Sequence, residues 1–313
     1  MANFRQIVDP PSFTPTPFGL LTTVEWTTPQ PDHWQQGITY EPLCGVNVSG
    51  VGGLTYDECL VVTGTGFAPP APADMVATQF TAGTRGAQPF TAYVEFDCAT
   101  VGLQNAQATA EKALSMAEPW QVERAFWTGL AGGQPVVYPH LAATTTVLDA
   151  TGVVLQTPAV NVTGVSSVGV VGDLMNIETA LGLLEAALAN CYNGVGVIHV
   201  PQMLVPTMDA WGIIRQQGAV MKTLNGNKVA VGAGYPGSGP DGLARAGNTT
   251  WMYATGNVFG FKTDVRVRAP DNGASSLDRA TNTRRMIAER TYVLGWDCCL
   301  FAVQTALGVP RGT

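Results

Sequence analysis

The chain has 313 residues but only 16 basic and 23 acidic side chains, about half the charged share of an ordinary soluble domain, and 46% of it is hydrophobic. A net charge of −7 excludes a tight, sequence-independent grip on nucleic acid, which requires clustered Lys and Arg. The longest apolar run, 292–309, is broken by Asp297 and Gln304, so it falls short of the roughly 20 apolar residues of a membrane-crossing helix and reads as a pair of buried strands. So little charge cannot cover the outside of a free monomer, and the expectation is that much of that outside is buried against other subunits.

The elements follow in chain order. Residues 1–38 hold six prolines, which bar a regular helix because proline lacks the amide donor and clashes with the preceding turn. Phe4, Phe13, Phe18, Leu20, Leu21 and Trp26 are interspersed among them, so this stretch reads as an extended arm lying on something apolar. Residues 39–97 are rich in Gly, Thr, Val and Pro and predict a long β excursion with little core of its own, including Cys59-Leu-Val-Val-Thr63, a loop at Pro69-Pro70-Ala-Pro72, and a closing strand at 89–97. Leu103, Ala106, Ala110, Leu114 and Ala117 fall on one face of a helix. Pro119 either kinks this helix or opens a second one that stops at Gly129.

Residues 130–170 return to β and loop character, with strand-like pieces at 144–148 and 153–155. Leu174, Ile177, Leu181, Leu184 and Leu188 put a leucine-rich stripe on a helix over 173–191, with Asp173 as its N-cap and Gly194 just past its end. A short buried strand at 195–200 ends at Pro201, and 202–217 reads as a helix interrupted or started at Pro206. Asn225-Gly226 between the strand-like runs 219–224 and 227–231 is the strongest hairpin signal in the chain. Strands at 251–253, 258–262 and 265–267 lead to a polar turn near Asp271-Asn-Gly273, and 286–307 is mostly strand-like.

Chemistry-bearing patterns are sparse. Ser238 has Pro236 where a nucleophile elbow needs glycine, and the same loop lacks the Gly-Lys-Ser/Thr ending of a phosphate loop. His33, His140 and His199 have no second ligand at metal-binding spacing, and His199 reads as a satisfied core or interface histidine. Glu118 and Glu123 beside Arg124 read as helix-face ion pairing, while Arg284, Arg285, Glu289 and Arg290 suggest salt bridges across a subunit boundary. The six cysteines show no CxxC spacing and read as reduced, mostly buried thiols; Cys298 and Cys299 would point to opposite faces of a strand. The expectation is therefore a structural building block with no catalytic residue, cofactor or metal.

Four segments then carry a resemblance. They are Pro89-Phe-Thr-Ala-Tyr-Val-Glu-Phe-Asp-Cys98, Glu118-Pro-Trp-Gln-Val-Glu-Arg-Ala-Phe-Trp-Thr-Gly129, Lys228-Val-Ala-Val-Gly-Ala-Gly-Tyr-Pro-Gly237 and Ala288-Glu-Arg-Thr-Tyr-Val-Leu-Gly-Trp-Asp-Cys-Cys299. With the element order, they make the chain similar to the major capsid proteins of tailed bacteriophages, the Hong Kong 97-type fold, most like those of actinobacteria-infecting phages; encapsulin shells share that fold. The resemblance implies an α+β chain with an N-terminal arm at 1–38 and an extended β loop within 39–97. It implies a peripheral domain with a long spine helix at 98–165, an axial domain with a mixed sheet and helices at 166–265, a return to the peripheral domain at 266–290, and C-terminal strands of the axial domain at 291–313.

The function implied is self-assembly into pentamers and hexamers of an icosahedral virion shell, built in the host bacterial cytoplasm around packaged double-stranded DNA that is enclosed without sequence-specific binding. The implied partners are other copies of the chain, a portal protein and separate scaffold, protease or decoration proteins, with no membrane. Candidate subunit contacts are Phe13, Phe18 and Trp26 in the arm and Arg284, Arg285 and Arg290 near the domain boundary. Some shells of this fold join subunits by an isopeptide bond from an extended-loop lysine. Residues 1–97 contain no lysine, the four being Lys112, Lys222, Lys228 and Lys262, so non-covalent closure is expected. The alternatives are an encapsulin-type nanocompartment and another phage structural protein of the tail or decoration kind; a metabolic enzyme is the remaining class.

Overall fold

The structure is a computed structural model. It describes residues 13–42 (15 excepted), 83–99, 106–132, 136–163, 175–269 (241, 243, 244 and 246 excepted), 277–278 and 283–307. Most of the expected β excursion, the Asp173 cap, Leu103 and Leu174 of the two helical stripes, and the turn at 271–273 lie outside these residues.

The arm is not wholly extended: Leu20–Thr23 make one helical turn (α1), closed by the Thr22 and Thr23 hydroxyls donating to the Gly19 and Leu20 carbonyls. Four residues between prolines suffice because Leu20 is fully buried in the main core. Strands β1 (Glu25–Trp26), β2 (Ile38–Tyr40), β3 (Arg85–Ala87) and β4 (Pro89–Ala99) follow.

The spine is one helix, α2 (Ala106–Thr128), running through Pro119 without a break in assignment. Proline removes one backbone donor, but Leu114 and Glu118 before it and Val122, Ala125 and Phe126 after it are all buried on one side. Continuous burial on both flanks offsets the lost bond. Small strands β5 (Val147–Leu148), β6 (Val154–Gln156) and β7 (Val160–Asn161) precede α3 (Ile177–Tyr192). Helix α3 is capped by Asn176, whose side chain accepts from Thr179 N–H, and it ends at Asn193 in the left-handed conformation, one residue before the expected Gly194.

Strand β8 (Val197–Pro201) is buried at every residue. The helix expected over 202–217 is shorter than its pattern: a 3-10 turn, Gln202–Leu204, leads into α4 (Val205–Ala210), and Ile214–Gln217 is strand β9. Strands β10 (Val220–Thr223) and β11 (Lys228–Gly232) form the Asn-Gly hairpin, pairing Met221 with Val229, and Gly226 supplies the positive φ of 91° that the turn requires. Strands β12 (Thr249–Thr255), β13 (Val258–Lys262), β14 (Arg266–Arg268), β15 (Leu277–Asp278), β16 (Thr283–Trp296) and β17 (Leu300–Ala306) complete the chain.

Three sheets result. The spine sheet runs β1-β13-β16-β14, with β4 along the other side of β16 and β15 at its start. The axial sheet runs β7-β17-β12-β8-β11-β10-β9, and a small sheet runs β2-β3-β6-β5. Helix α2 covers the spine-sheet face formed by Ala92, Val94 and Phe96 of β4 and Ala288 of β16. The leucine stripe of α3 covers the axial sheet at Ile198, Val200, Val229, Met252 and Val303. Strand β16 stays in the spine sheet through Trp296, and the chain crosses into the axial sheet at Asp297–Cys299.

The cysteines are not all free: Cys191 and Cys299 form a disulfide, and Cys298 is disulfide-bonded as well. The pair is 108 residues apart, so no local spacing announced it; the fold brings the end of α3 to the β16–β17 turn, with Cα atoms 6.2 Å apart. Cys298 and Cys299 also lie in that turn rather than on a strand, and Cys299 has a φ of 60°.

Candidate functional site

The most heavily constrained region is the junction where arm, spine helix and both large sheets meet. The Glu123 side chain on α2 accepts from Leu20 N–H of the arm through Oε1 at 3.2 Å and from Gly234 N–H of the β11–β12 connection through Oε2 at 2.9 Å. Its fit to the arm is close: a Cβ at Gly19 would lie 2.6 Å from Glu123 Oε1. Burial raises the Glu123 pKa, and the backbone donors partly offset that rise.

One turn earlier, Glu118 accepts both oxygens' worth of Arg290 Nη1, each at 3.1 Å, and also the Tyr292 hydroxyl. Burial, followed by the adjacent Glu118 carboxylate, drives the Tyr292 pKa far above its ordinary value. The expectation of solvated helix-face pairing at Glu118 and Glu123 is therefore corrected: both are buried, and their partners come from distant segments. Arg124 instead stacks over the Trp120 ring.

His199, His140 and Ser238 are engaged by neighbours within the fold. His199 is fully buried between the Tyr235 hydroxyl at 3.2 Å and the Thr255 hydroxyl at 3.0 Å, and burial lowers its pKa to about 3. His140 Nδ1 lies 2.9 Å from the Val137 carbonyl, and His33 is exposed. Ser238 accepts the Trp127 indole N–H through both its carbonyl and Oγ. Among the described residues no three His, Cys, Asp or Glu side chains are grouped to hold a metal ion, and no helix is long and apolar enough to cross a membrane.

The six candidate contact residues are not brought to one place. Phe13 is 41% exposed. Phe18 packs against the axial core, where its carbonyl accepts from Val231 N–H. Trp26 packs on the main core against Tyr292 and carries Lys262 Nζ over its ring at 4.4 Å. Thus Phe18 and Trp26 are packed within their own chain. Arg290 is held by Glu118, and Arg285 pairs with Glu95 on the exposed face of the spine sheet. The Arg284 side chain lies outside the described residues.

Sequence reasoning missed the outer rim of β4. This strand pairs with β16 on one side, and its other edge takes no strand among the described residues. Along that edge the Gln121 side-chain amide accepts from Tyr93 N–H at 3.2 Å and donates to Tyr93 C=O at 3.1 Å, occupying both as a peptide group would. Beside it, Tyr93, Trp120, Gln121, Arg124 and Leu130 line a groove of about 320 Å³. The sheet face turned away from α2 carries a wider cleft of about 770 Å³ over Thr91, Tyr93, Glu95, Arg268, Ile287 and Glu289. Tyr93, Met116, Trp120, Leu130 and Val136 are each 40–48% exposed, a density of large apolar side chains that suits a contact surface.

No family model matches the chain, and no curated protein does. Solved structures do match it across nearly its whole length. The capsid of Ralstonia phage GP4 is similar over 100% of this chain and 97% of its own, at 8% identity and a TM-score of 0.53. A structure from Mycobacterium phage Ogopogo matches over 97% of both chains, at 11% identity and a TM-score of 0.50. An encapsulin complex of Synechococcus elongatus matches over 100% of this chain and 95% of its own, at 10% identity and a TM-score of 0.50. The chain has the α+β, Hong Kong 97-type fold, which these phage and encapsulin structures share.

Proposed function

We propose that this chain is a structural protein, not an enzyme, that assembles into the pentamers and hexamers of an icosahedral phage head enclosing double-stranded DNA. The observation that carries this reading is a fold shared with phage capsid structures over 97–100% of the chain. Low charge and the row of half-exposed apolar side chains on spine helix and β4 support it, because obligate interfaces are apolar and large. A net charge of −7 suits a container that does not hold its DNA tightly. The protein then resides in the virion, is assembled in the host cytoplasm, and meets a portal at one vertex.

The shell is closed by non-covalent contacts. Residues 1–97 offer no lysine, and two of the four lysines are occupied within the chain, Lys228 by Glu25 and Lys262 by Trp26. Electron microscopy of the expressed protein should show closed polyhedral particles, and a reducing denaturing gel should show a single monomer band. A persistent small monomer counts against the shell reading, while a covalent ladder counts against non-covalent closure.

A second reading, an encapsulin-type nanocompartment, is favoured by the encapsulin's similarity. Particles isolated from the native source and carrying a cargo protein instead of DNA would decide for it.

A further inference from the structure

The β16–β17 turn is the point at which the C-terminal strands pass from the spine sheet to the axial sheet. Its backbone is fixed without sulfur chemistry: Asp297 N–H donates to Asn257 C=O at 2.9 Å and Gly256 N–H to Cys298 C=O at 2.6 Å. On the other side, Cys191 sits in the last turn of α3, whose end is closed by Asn193 N–H donating to Ala189 C=O. Cys299 belongs to the apolar cluster under α3, and Cys191 packs against the same cluster. Cys299 is buried and Cys191 only partly so.

We propose that the Cys191–Cys299 bond is a reversible, redox-dependent staple of the axial domain to the inter-sheet turn, open in reducing surroundings and closed in oxidising ones. A small disulfide such as oxidised glutathione is the oxidant. The more accessible Cys191 thiolate attacks one of its sulfurs and expels one small thiolate; the Cys299 thiolate then attacks the Cys191 sulfur of the mixed disulfide and expels the second. Two protein thiols lose two protons and two electrons, and one small disulfide becomes two thiols. Closure cross-links residues 108 apart, which constrains the unfolded chain far more than the folded one. The inference concerns the single chain and holds whether or not the chain builds a shell.

The test uses the purified full-length protein equilibrated with reduced or oxidised glutathione, a peptide map made without reduction, and thermal unfolding. Oxidation should yield the linked 191–299 peptide. Reduction should leave circular dichroism at 25 °C unchanged and lower Tm by about 5–10 °C, and re-oxidation should restore it. Because Cys298 is also disulfide-bonded, Cys191→Ser/Cys299→Asn isolates this bond; asparagine tolerates the left-handed backbone at 299. The double variant should show a smaller redox shift than the wild type. Free Cys191 and Cys299 after oxidation, an equal shift in both proteins, or loss of structure on reduction would each overturn the proposal; the first and last are read on the wild type, whatever the variant's folding.

Discussion

His199 and Glu123 lie in the same core region and respond to acid in opposite directions. Burial holds the His199 imidazole neutral, with its pKa lowered to about 3, whereas an unfolded chain takes up that proton near pH 6.5. Stability contributed by neutral His199 is therefore fully present above pH 6.5 and is lost as pH falls from there toward 3. His140, also lowered by burial, adds to the same trend. Glu123 is raised by burial, so the native state binds its proton more tightly than the unfolded chain. Between the ordinary carboxylate value and its raised native one, Glu123 favours the fold as pH falls. Thermal unfolding between pH 7 and pH 4 should show His199→Gln losing less stability on acidification than the wild type; equal slopes would remove His199 as the acid-sensitive group. The satisfied-core role of His199 was legible from one histidine at a strand end. The burial of Glu118 and Glu123 was not, because a carboxylate on a helix gives the pattern of a solvated face until the residues opposite it are known. Their partners, Leu20, Gly234, Arg290 and Tyr292, lie 103 or more residues away.

At the scale of elements, the hairpin β10–β11 was plain in the sequence because its signal is local: Asn225-Gly226 fixes the turn and strand-like runs flank it. What anchors the turn was invisible. Glu185 on α3 receives the Thr223 hydroxyl, the Asn225 amide at 2.7 Å and the Asn227 amide at 2.8 Å. One carboxylate thus satisfies three donors, and hydrogen bonds to charged groups are worth about 1.5–3 kcal/mol each. Glu185→Ala should destabilise the protein by about 2–3 kcal/mol and speed hydrogen exchange at Thr223 and Asn227 ahead of the α3 core. Unchanged exchange would show that the turn holds itself. Periodicity likewise revealed the two long helices but not their limits. The tertiary packing that carries α2 through Pro119, and the Asn176 cap that starts α3, are settled by neighbours that a linear pattern does not contain.

At the scale of the whole molecule, the class of fold was legible from element order and four segments, and the sheet crossing point was not. The arm shows why: aromatic residues among prolines signal an apolar resting place, but nothing in them says whose. Phe18 and Trp26 rest on their own chain, which leaves Phe13 and the β4 rim as the better candidates for contacts between copies. Arg285 separates folding from assembly. Its pair with Glu95 is exposed, so the pair contributes at most about 1 kcal/mol to the monomer. Arg285→Glu should leave monomer Tm nearly unchanged and sharply lower the yield of closed particles counted by microscopy; normal particles from that variant would exclude Arg285 from the contact.

The place of the last strands sets a schedule for the nascent chain. Among the described residues, β16 is the strand that joins β4 to β13, and β17 the one that joins β7 to β12. Neither large sheet can close until β16 and β17 have left the ribosome, and pairings such as Tyr93 with Glu289 span almost two hundred residues. Contacts this distant form slowly, since the chain between them must lose its freedom before the pairing rewards it. Synthesis therefore acts as a timer: the spine sheet and its β4 rim come into being only once β16 has emerged, and a chain terminated before it lacks that paired surface.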